Sequence, residues 1–122
     1  MRSSGRRGER AAEKEARRRG MTVLERNLVA GGAEIDLVAL DGEVLVFIEV
    51  KARRSERHGT PEEAVDAEKR RRIIRAARAF LKHKGLLDRP RRYDVVAIRL
   101  GSTGRAEDVR WTEAAFDEGG IP

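Results

Sequence analysis

The chain has 122 residues, room for one domain of ordinary size, with 39% hydrophobic side chains, 39% charged side chains and a net charge of +6. It contains no cysteine, which excludes disulfides and zinc–thiolate sites and fits a reducing, cytoplasmic location. No apolar run approaches the roughly 20 residues that span a bilayer, and the basic start Met1-Arg2-Ser3-Ser4-Gly5-Arg6 lacks the apolar core of a signal peptide. No membrane association is expected.

Residues 6–19 (RRGERAAEKEARRR) have no β-branched side chain and are rich in Ala, Glu and Arg, which predicts a helix. Its apolar stripe is only Ala11, Ala12 and Ala16, small enough for close packing on a sheet, and Gly20 ends it. Met21–Ala30 is a first predicted strand, turned back by Gly31-Gly32. Ala33–Leu40 is a second, and Asp41-Gly42 signals a two-residue hairpin turn. Glu43–Arg53 is a third; its unbroken apolar run Val44-Leu45-Val46-Phe47-Ile48 implies a strand covered on both faces, hence a central one.

Thr60-Pro61-Glu62-Glu63 has the composition of a helix start. A second start at Asp66 leads into a long helix stopped by Gly85, with Ile73, Ile74, Ala77, Phe80 and Leu81 on one face and Lys69, Arg72, Arg75 and Lys82 elsewhere. Arg92–Leu100 (RYDVVAIRL) follows as a strand reached through a helix, which favours parallel pairing. Residues 105–112 read as a short edge strand, with Ala114-Ala115-Phe116 docking the tail. The order αβββαβ(β) predicts an α/β sandwich, a mixed central sheet flanked by helices. One domain over 1–122 is expected, with 1–5 and 117–122 as flexible ends.

Charged residues on buried strands are costly unless they pair, bind metal or do chemistry. Alternation puts Glu34, Asp36 and Val38 on one face of the second strand, and Glu49 and Lys51 on one face of the third. Whether the two faces coincide depends on register, which sequence does not fix. The spacing D-x12-E-x-K suits metal-dependent cleavage of a phosphodiester. Asp36 and Glu49 supply carboxylates for Mg²⁺ or Mn²⁺, with the backbone carbonyl of Val50 between them. Lys51 orients or deprotonates the attacking water. An ordinary Glu49–Lys51 ion pair on a solvated face stands beside this reading.

Charge is unevenly spread: residues 1–20 carry a net +5, residues 50–92 a net +9, and the rest −8. A basic rim about an acidic centre suits a polyanionic partner and a cation together. Arg53, Arg54, Arg57, Lys69 and Arg72 are the expected phosphate contacts. His58 and His83 are isolated and do not suggest a histidine metal site. Tyr93 and Trp111 read as packing residues.

The blocks GERAAEKEARRRG, GGAEIDLVA, VFIEVKAR, GTPEEAVDAEKRRRI and RYDVVAI, in order from about Gly8 to Phe116, resemble the YraN-type family of uncharacterised bacterial proteins. That family is assigned by similarity to the restriction-endonuclease-like superfamily, the PD-(D/E)xK nucleases, and is nearest in pattern to archaeal Holliday-junction resolvases. The resemblance implies a restriction-endonuclease-like core and metal-dependent endonuclease activity on DNA rather than RNA, with branched or flapped substrates and a homodimer as expectations by analogy. Asp36 resembles the motif aspartate, and Glu49 and Lys51 the (D/E)xK pair. Glu9 sits where resolvase-like members place an additional acidic residue that completes the metal site. Lys69 and Arg72 resemble the basic position that touches substrate phosphate. Ile35 stands where the motif's name has proline. Glu34 is a further ligand or points away. The rival class is a nucleic-acid-binding or scaffolding module with this fold and no turnover.

Overall fold

The computed structural model describes residues 3–54 and 65–119. The predicted helix start at Thr60–Glu63, with His58 and Arg57, lies outside these described residues.

The first helix, α1 (Ser3–Arg18), begins three residues before the predicted one. Glu13 and Glu15 pair with Arg17, Arg18 and Arg19 at helical spacing. The Arg17 and Arg26 guanidiniums hold the Glu13 carboxyl down at about 2, the hydrogen bond from Arg26 contributing most. Ala12 and Ala16 are wholly buried. Gly8 brings the helix close to the sheet, since a methyl there would lie 2.6 Å from the Cβ of Ala52. This approach is what allows the next residue, Glu9, to reach the sheet's interior.

Three strands follow: β1 (Thr22–Ala30), β2 (Ala33–Asp41) and β3 (Val44–Arg53). The first turn uses positive φ at Gly31 (55°) and Gly32 (77°), as a tight hairpin requires. In the second, Asp41 pairs with Val44, so the loop is Gly42-Glu43, one residue later than the Asp41-Gly42 predicted. The register follows from burial on both faces of β2 and β3, because a one-residue slip would reverse them.

The long helix α2 (Ala67–Lys84) is capped by Asp66, whose side chain accepts from the Lys69 N–H at 2.9 Å, and is stopped by Gly85 at φ 71°. It leads into β4 (Arg91–Leu100), and β5 (Ala106–Phe116) closes the sheet. The order is β1-β2-β3-β4-β5 with β3 central; β3 and β4 are parallel, the other neighbours antiparallel. Both the central place of β3 and the parallel pairing match the sequence reading. The last strand is longer than predicted and takes in Ala114–Phe116, with an irregularity at Ala114 (φ 51°).

One helix covers each face of the sheet. On the α2 side Ile73, Ile74, Ala77 and Leu81 pack on Ile35, Val38, Leu45, Phe47, Tyr93 and Val95. On the α1 side Ala12 and Ala16 pack with Leu37, Ala39, Val46, Ile48, Val96 and Ile98. Phe47, Tyr93 and Phe116 stack in series, with ring centroids 5.7 and 5.2 Å apart, which carries the α2-side core out to β5.

Sequence reading missed Asp94, which is fully buried in β4. It accepts from the Trp111 indole N–H at 2.8 Å, from the Ala114 backbone N–H at 2.9 Å and from Arg92 at 3.1 Å. It therefore fastens the irregular part of β5 onto the sheet, and the lone tryptophan is a packing residue with a satisfied donor. Asp94→Ala strips two part-buried N–H groups of their acceptor and removes the buried carboxylate paired with Arg92. The expected loss is about 3 kcal/mol of unfolding free energy, read as a lowered urea midpoint at unchanged slope. A loss below about 1 kcal/mol would show that β5 does not depend on this carboxylate.

Candidate active site

The β2–β3 ladder runs from Asp41↔Val44 only to Leu37↔Ile48. Beyond it β2 stays paired with β1 and β3 with β4, so the sheet forks between its second and third strands. Antiparallel register places Asp36 and Glu49 opposite each other at the first unpaired position. The question left open by the sequence, whether the two faces coincide, is thereby answered: both carboxylates open into the fork.

Local backbone explains how Asp36 gets there. Ile35 packs in the α2-side core and Leu37 in the α1-side core, so strict alternation breaks at Asp36. On β1, Asn27 lies between the pairs Arg26↔Leu37 and Leu28↔Ile35, and its φ of 52° is the left-handed conformation that asparagine tolerates better than most residues. The Asp36 carboxylate then accepts from the Val50 backbone N–H at 2.8 Å. This bond replaces the ladder bond that β2 no longer supplies. The Val50 carbonyl points to the same side of the strand as its N–H, into the fork.

Asp36 is 8% exposed and Glu49 4%. Burial, with the Glu49 carboxylate beside it, pushes the Asp36 carboxyl up to about 7; the charge of Glu9 adds to this, and the Val50 N–H works against it. Two ammonium groups face Glu49: Lys69 Nζ from α2 at 3.3 Å and Lys51 Nζ from the same strand at 3.6 Å. Glu9 enters from the opposite layer. It is half-buried on α1, lines the cleft with Asp36 and Glu49, and also lines a smaller pocket on the α1 side with Arg10, Arg26 and Leu37.

The cleft has a volume of about 470 Å³, and Glu9, Asp36, Glu49, Val50, Lys51, Arg53, Lys69 and Arg72 all line it. The structure thus brings together eight of the residues that the sequence singled out. Glu34 is exposed on the cleft rim. Arg54 is exposed at the end of β3 outside the cleft lining, and Arg57 lies outside the described residues. Arg72 pairs with Glu68 at 2.6 Å. The Arg53 Nε is buried and has no hydrogen-bond acceptor among the described residues. Nothing in the sequence signalled that donor, because strand position alone does not reveal which guanidinium nitrogen is buried. His83 sits in the last turn of α2, away from the cleft lining.

Among the described residues no three His, Cys, Asp or Glu side chains are gathered as a ready-made metal cage. The cleft offers a carboxylate pair, which is the usual protein share of a Mg²⁺ site completed by water and substrate oxygens. The strained protonation of Asp36 also fits a place where a dication would relieve carboxylate repulsion. Among the described residues no helix is long and apolar enough to cross a membrane.

A mixed sheet with one helix on each face, forked where β2 leaves β3, is compatible with a restriction-endonuclease-like core. Comparison with known proteins makes the assignment narrower. The profile described as Uncharacterised protein family UPF0102 matches residues 8–98. A UPF0102 protein of Hahella chejuensis is 46% identical over 113 residues, covering 92% of this chain and 88% of the relative. One of Symbiobacterium thermophilum is 46% identical, covering 83% and 86%, and one of Moorella thermoacetica is 44% identical, covering 94% and 96%. The chain belongs to the UPF0102 family, which bears out the YraN-type resemblance.

The raised carboxyl makes stability pH-dependent with a definite sign. The folded state holds the Asp36 proton more tightly than the unfolded chain, whose aspartate titrates near its ordinary value of about 3.9. Stability in chelator therefore rises as pH falls from about 8 toward 5 and is lost as pH rises through about 7. The full contribution is on the order of 4 kcal/mol. The groups acting on this carboxyl are Glu49, Glu9 and the Val50 N–H, while Lys51 and Lys69 face Glu49 beside it. Asp36→Asn keeps an acceptor for Val50 and is expected to flatten the pH 5–8 profile and to exceed wild type in urea midpoint at pH 8. An Asn variant with the wild-type slope would show that this group is not the origin.

Proposed function

We propose that the chain is a metal-dependent endonuclease that hydrolyses DNA phosphodiesters in the β2–β3 fork. The observation that supports this best is the convergence of Asp36, Glu49 and Lys51 in one polar cleft walled by basic side chains. Asp36 and Glu49 would hold a Mg²⁺ or Mn²⁺ ion, with the Val50 carbonyl and Glu9 beside them. The chemistry such an ion supplies is activation of water and neutralisation of charge on the phosphoryl oxygens.

The remaining work falls to the chain's own groups. Lys51 lies within reach of Glu49 and is 24% exposed at its side chain, so its ammonium can turn from Glu49 toward an incoming water or phosphoryl oxygen. There it orients the nucleophile and stabilises the charge that develops in the transition state. Lys69, 38% exposed at its side chain, balances Glu49 from the α2 side and meets the substrate at the cleft wall. The buried Arg53 Nε is a donor placed for an anion, and a phosphate oxygen satisfies it. Arg54 and Arg72 extend the phosphate contacts outward. Branched or flapped DNA is the substrate suggested by the resemblance to junction resolvases, by analogy alone.

The test is cleavage of labelled single-stranded, duplex, flapped and four-way-junction DNA with Mg²⁺ or Mn²⁺. Lys51→Ala and Asp36→Asn are expected to lower the rate at least 100-fold while DNA affinity changes less than threefold. Thermal unfolding gives a readout apart from turnover: either dication at ten times its Kd raises the wild-type midpoint by about 5 °C, and Asp36→Asn loses most of that shift. Binding of every substrate without cutting, with no dication-dependent shift, would favour a binding module that keeps the fold without the chemistry.

A further inference from the structure

A second basic feature lies on the outer face of α2. Arg71, Arg75, Arg78 and Lys82 are all exposed. At 3.6 residues per turn they fall within about 60° of arc, on the side of the helix away from Ile73, Ala77 and Leu81. They form a continuous ridge about 16 Å long, at about 1.5 Å rise per residue. None of the four has a salt-bridge partner among the described residues, although the field of Arg78 reaches Glu118. Glu68 is the single acidic residue of α2, and Arg72 takes it.

The C-terminal end of α1 handles its arginines differently. There the C-terminal arginines Arg17, Arg18 and Arg19 are each met by Glu13 or Glu15. On α2 the neighbours along the ridge are like charges at i,i+3 and i,i+4, which repel and weaken a helix. A polyanion laid along the ridge removes that repulsion. The ridge also begins at the end of α2 that lines the cleft through Lys69 and Arg72, and runs away from it.

We infer that the α2 ridge is a track for the phosphate backbone of a double-stranded arm flanking the bond held in the cleft. The inference rests on reading the cleft as a phosphodiester site and adds the form of the substrate beside it. A duplex rises 3.4 Å per base pair, so the ridge covers about five base pairs of one arm. Four evenly spaced cations on a straight helix suit a stiff, regular backbone better than a flexible single strand. They carry no base readout, so binding is independent of sequence.

The experiment measures affinity by fluorescence anisotropy, in chelator so that nothing is cut, across 50 to 200 mM salt. The probes are a 20-base-pair DNA duplex, an RNA duplex of the same sequence and a 20-nucleotide single-stranded DNA. The triple variant Arg71→Ala/Arg75→Ala/Arg78→Ala is expected to bind duplex DNA at least tenfold more weakly at 50 mM salt. Its log–log salt dependence should be shallower by about 2 to 3, since each lost phosphate contact removes about 0.9. The single strand should weaken less than threefold. The corresponding triple Arg→Lys variant should keep the wild-type slope, which separates lost charge from a damaged helix. A loss on both duplexes assigns a general phosphate track, and a loss on DNA alone assigns a B-form one. An unchanged slope, equal losses on single strand and duplex, or a lysine variant as weak as the alanine one would each overturn the inference. A ridge that behaves as expected in a protein that cuts none of the substrates overturns the nuclease reading alone. Cutting with no ridge dependence overturns the ridge alone.

Discussion

The hydrogen bond from the Val50 N–H to the Asp36 carboxylate is the constraint on which the rest of the site depends. A sheet that forks must leave backbone donors behind, and a buried donor without an acceptor is costly. Here the strand that departs leaves a side-chain oxygen in place of its own carbonyl. The bond closes the ladder at Leu37↔Ile48, holds β2 and β3 apart by one side chain, and fixes an aspartate at the mouth of the gap. The opening between the two strands is also what lets Glu9, on the far layer, share a cleft with Glu49. A lone structural carboxylate in this role would be lowered by its backbone donor. This one is raised, because burial and a second carboxylate outweigh the bond. The fold tolerates the acid for its peptide donor, and the acid's discomfort comes from its neighbours.

How much of this was legible in the sequence depended on which physical signal each residue carried. The central place of β3 was written in the run Val44–Ile48, and the parallel partner in the helix that separates β3 from β4. The turn at Gly42 was misplaced by one residue because Asp-Gly and Gly-Glu both offer a glycine able to adopt positive φ, and only pairing of Asp41 with Val44 decides between them. The length of β5 was missed because Ala114, at a positive φ of 51°, interrupts the strand pattern and Ala115-Phe116 resume it only beyond that irregularity. Pairing to β4 and the bonds from Asp94 hold it in the sheet rather than its own β-propensity. Asp94 was not singled out, since its partners Trp111 and Ala114 come from β5. Glu49 and Lys51 were legible as a motif, whereas their meeting with Asp36 required a register, and the break of alternation between Ile35 and Leu37 required Asn27 in a conformation that no pattern rule announces.

The two helices share a basic composition and use it differently. At the C-terminal end of α1, Arg17, Arg18 and Arg19 pair with Glu13 and Glu15, and the helix presses alanines and Gly8 against the sheet. Its contribution is proximity, which delivers Glu9. On α2 the apolar face supplies the larger side chains of one core, one flank gives Lys69 and Arg72 to the cleft, and the outer face carries unneutralised charge. Net charge alone could not distinguish these arrangements. Positions on the helix and the presence or absence of acidic neighbours do.

The charges around the fork make a balance that bears on what the site is for. Glu9, Asp36 and Glu49 face Lys51 and Lys69. With every group ionised, the cluster holds one negative charge in excess, and a proton shared onto Asp36 near neutral pH cancels it. A dication taking that proton's place would leave the cluster with one positive charge in excess. One phosphodiester, with its single negative charge, would then bring the cluster to neutrality. The same five groups are thus neutral either with a proton on Asp36 or with a dication and a phosphodiester together, and a dication alone would leave a positive charge for an anion to offset. The same balance explains why Lys69 comes from α2 rather than from the sheet. A second lysine on β3 would share the strand of Lys51, whereas Lys69 reaches Glu49 from α2, so the two ammoniums approach the carboxylate from different elements.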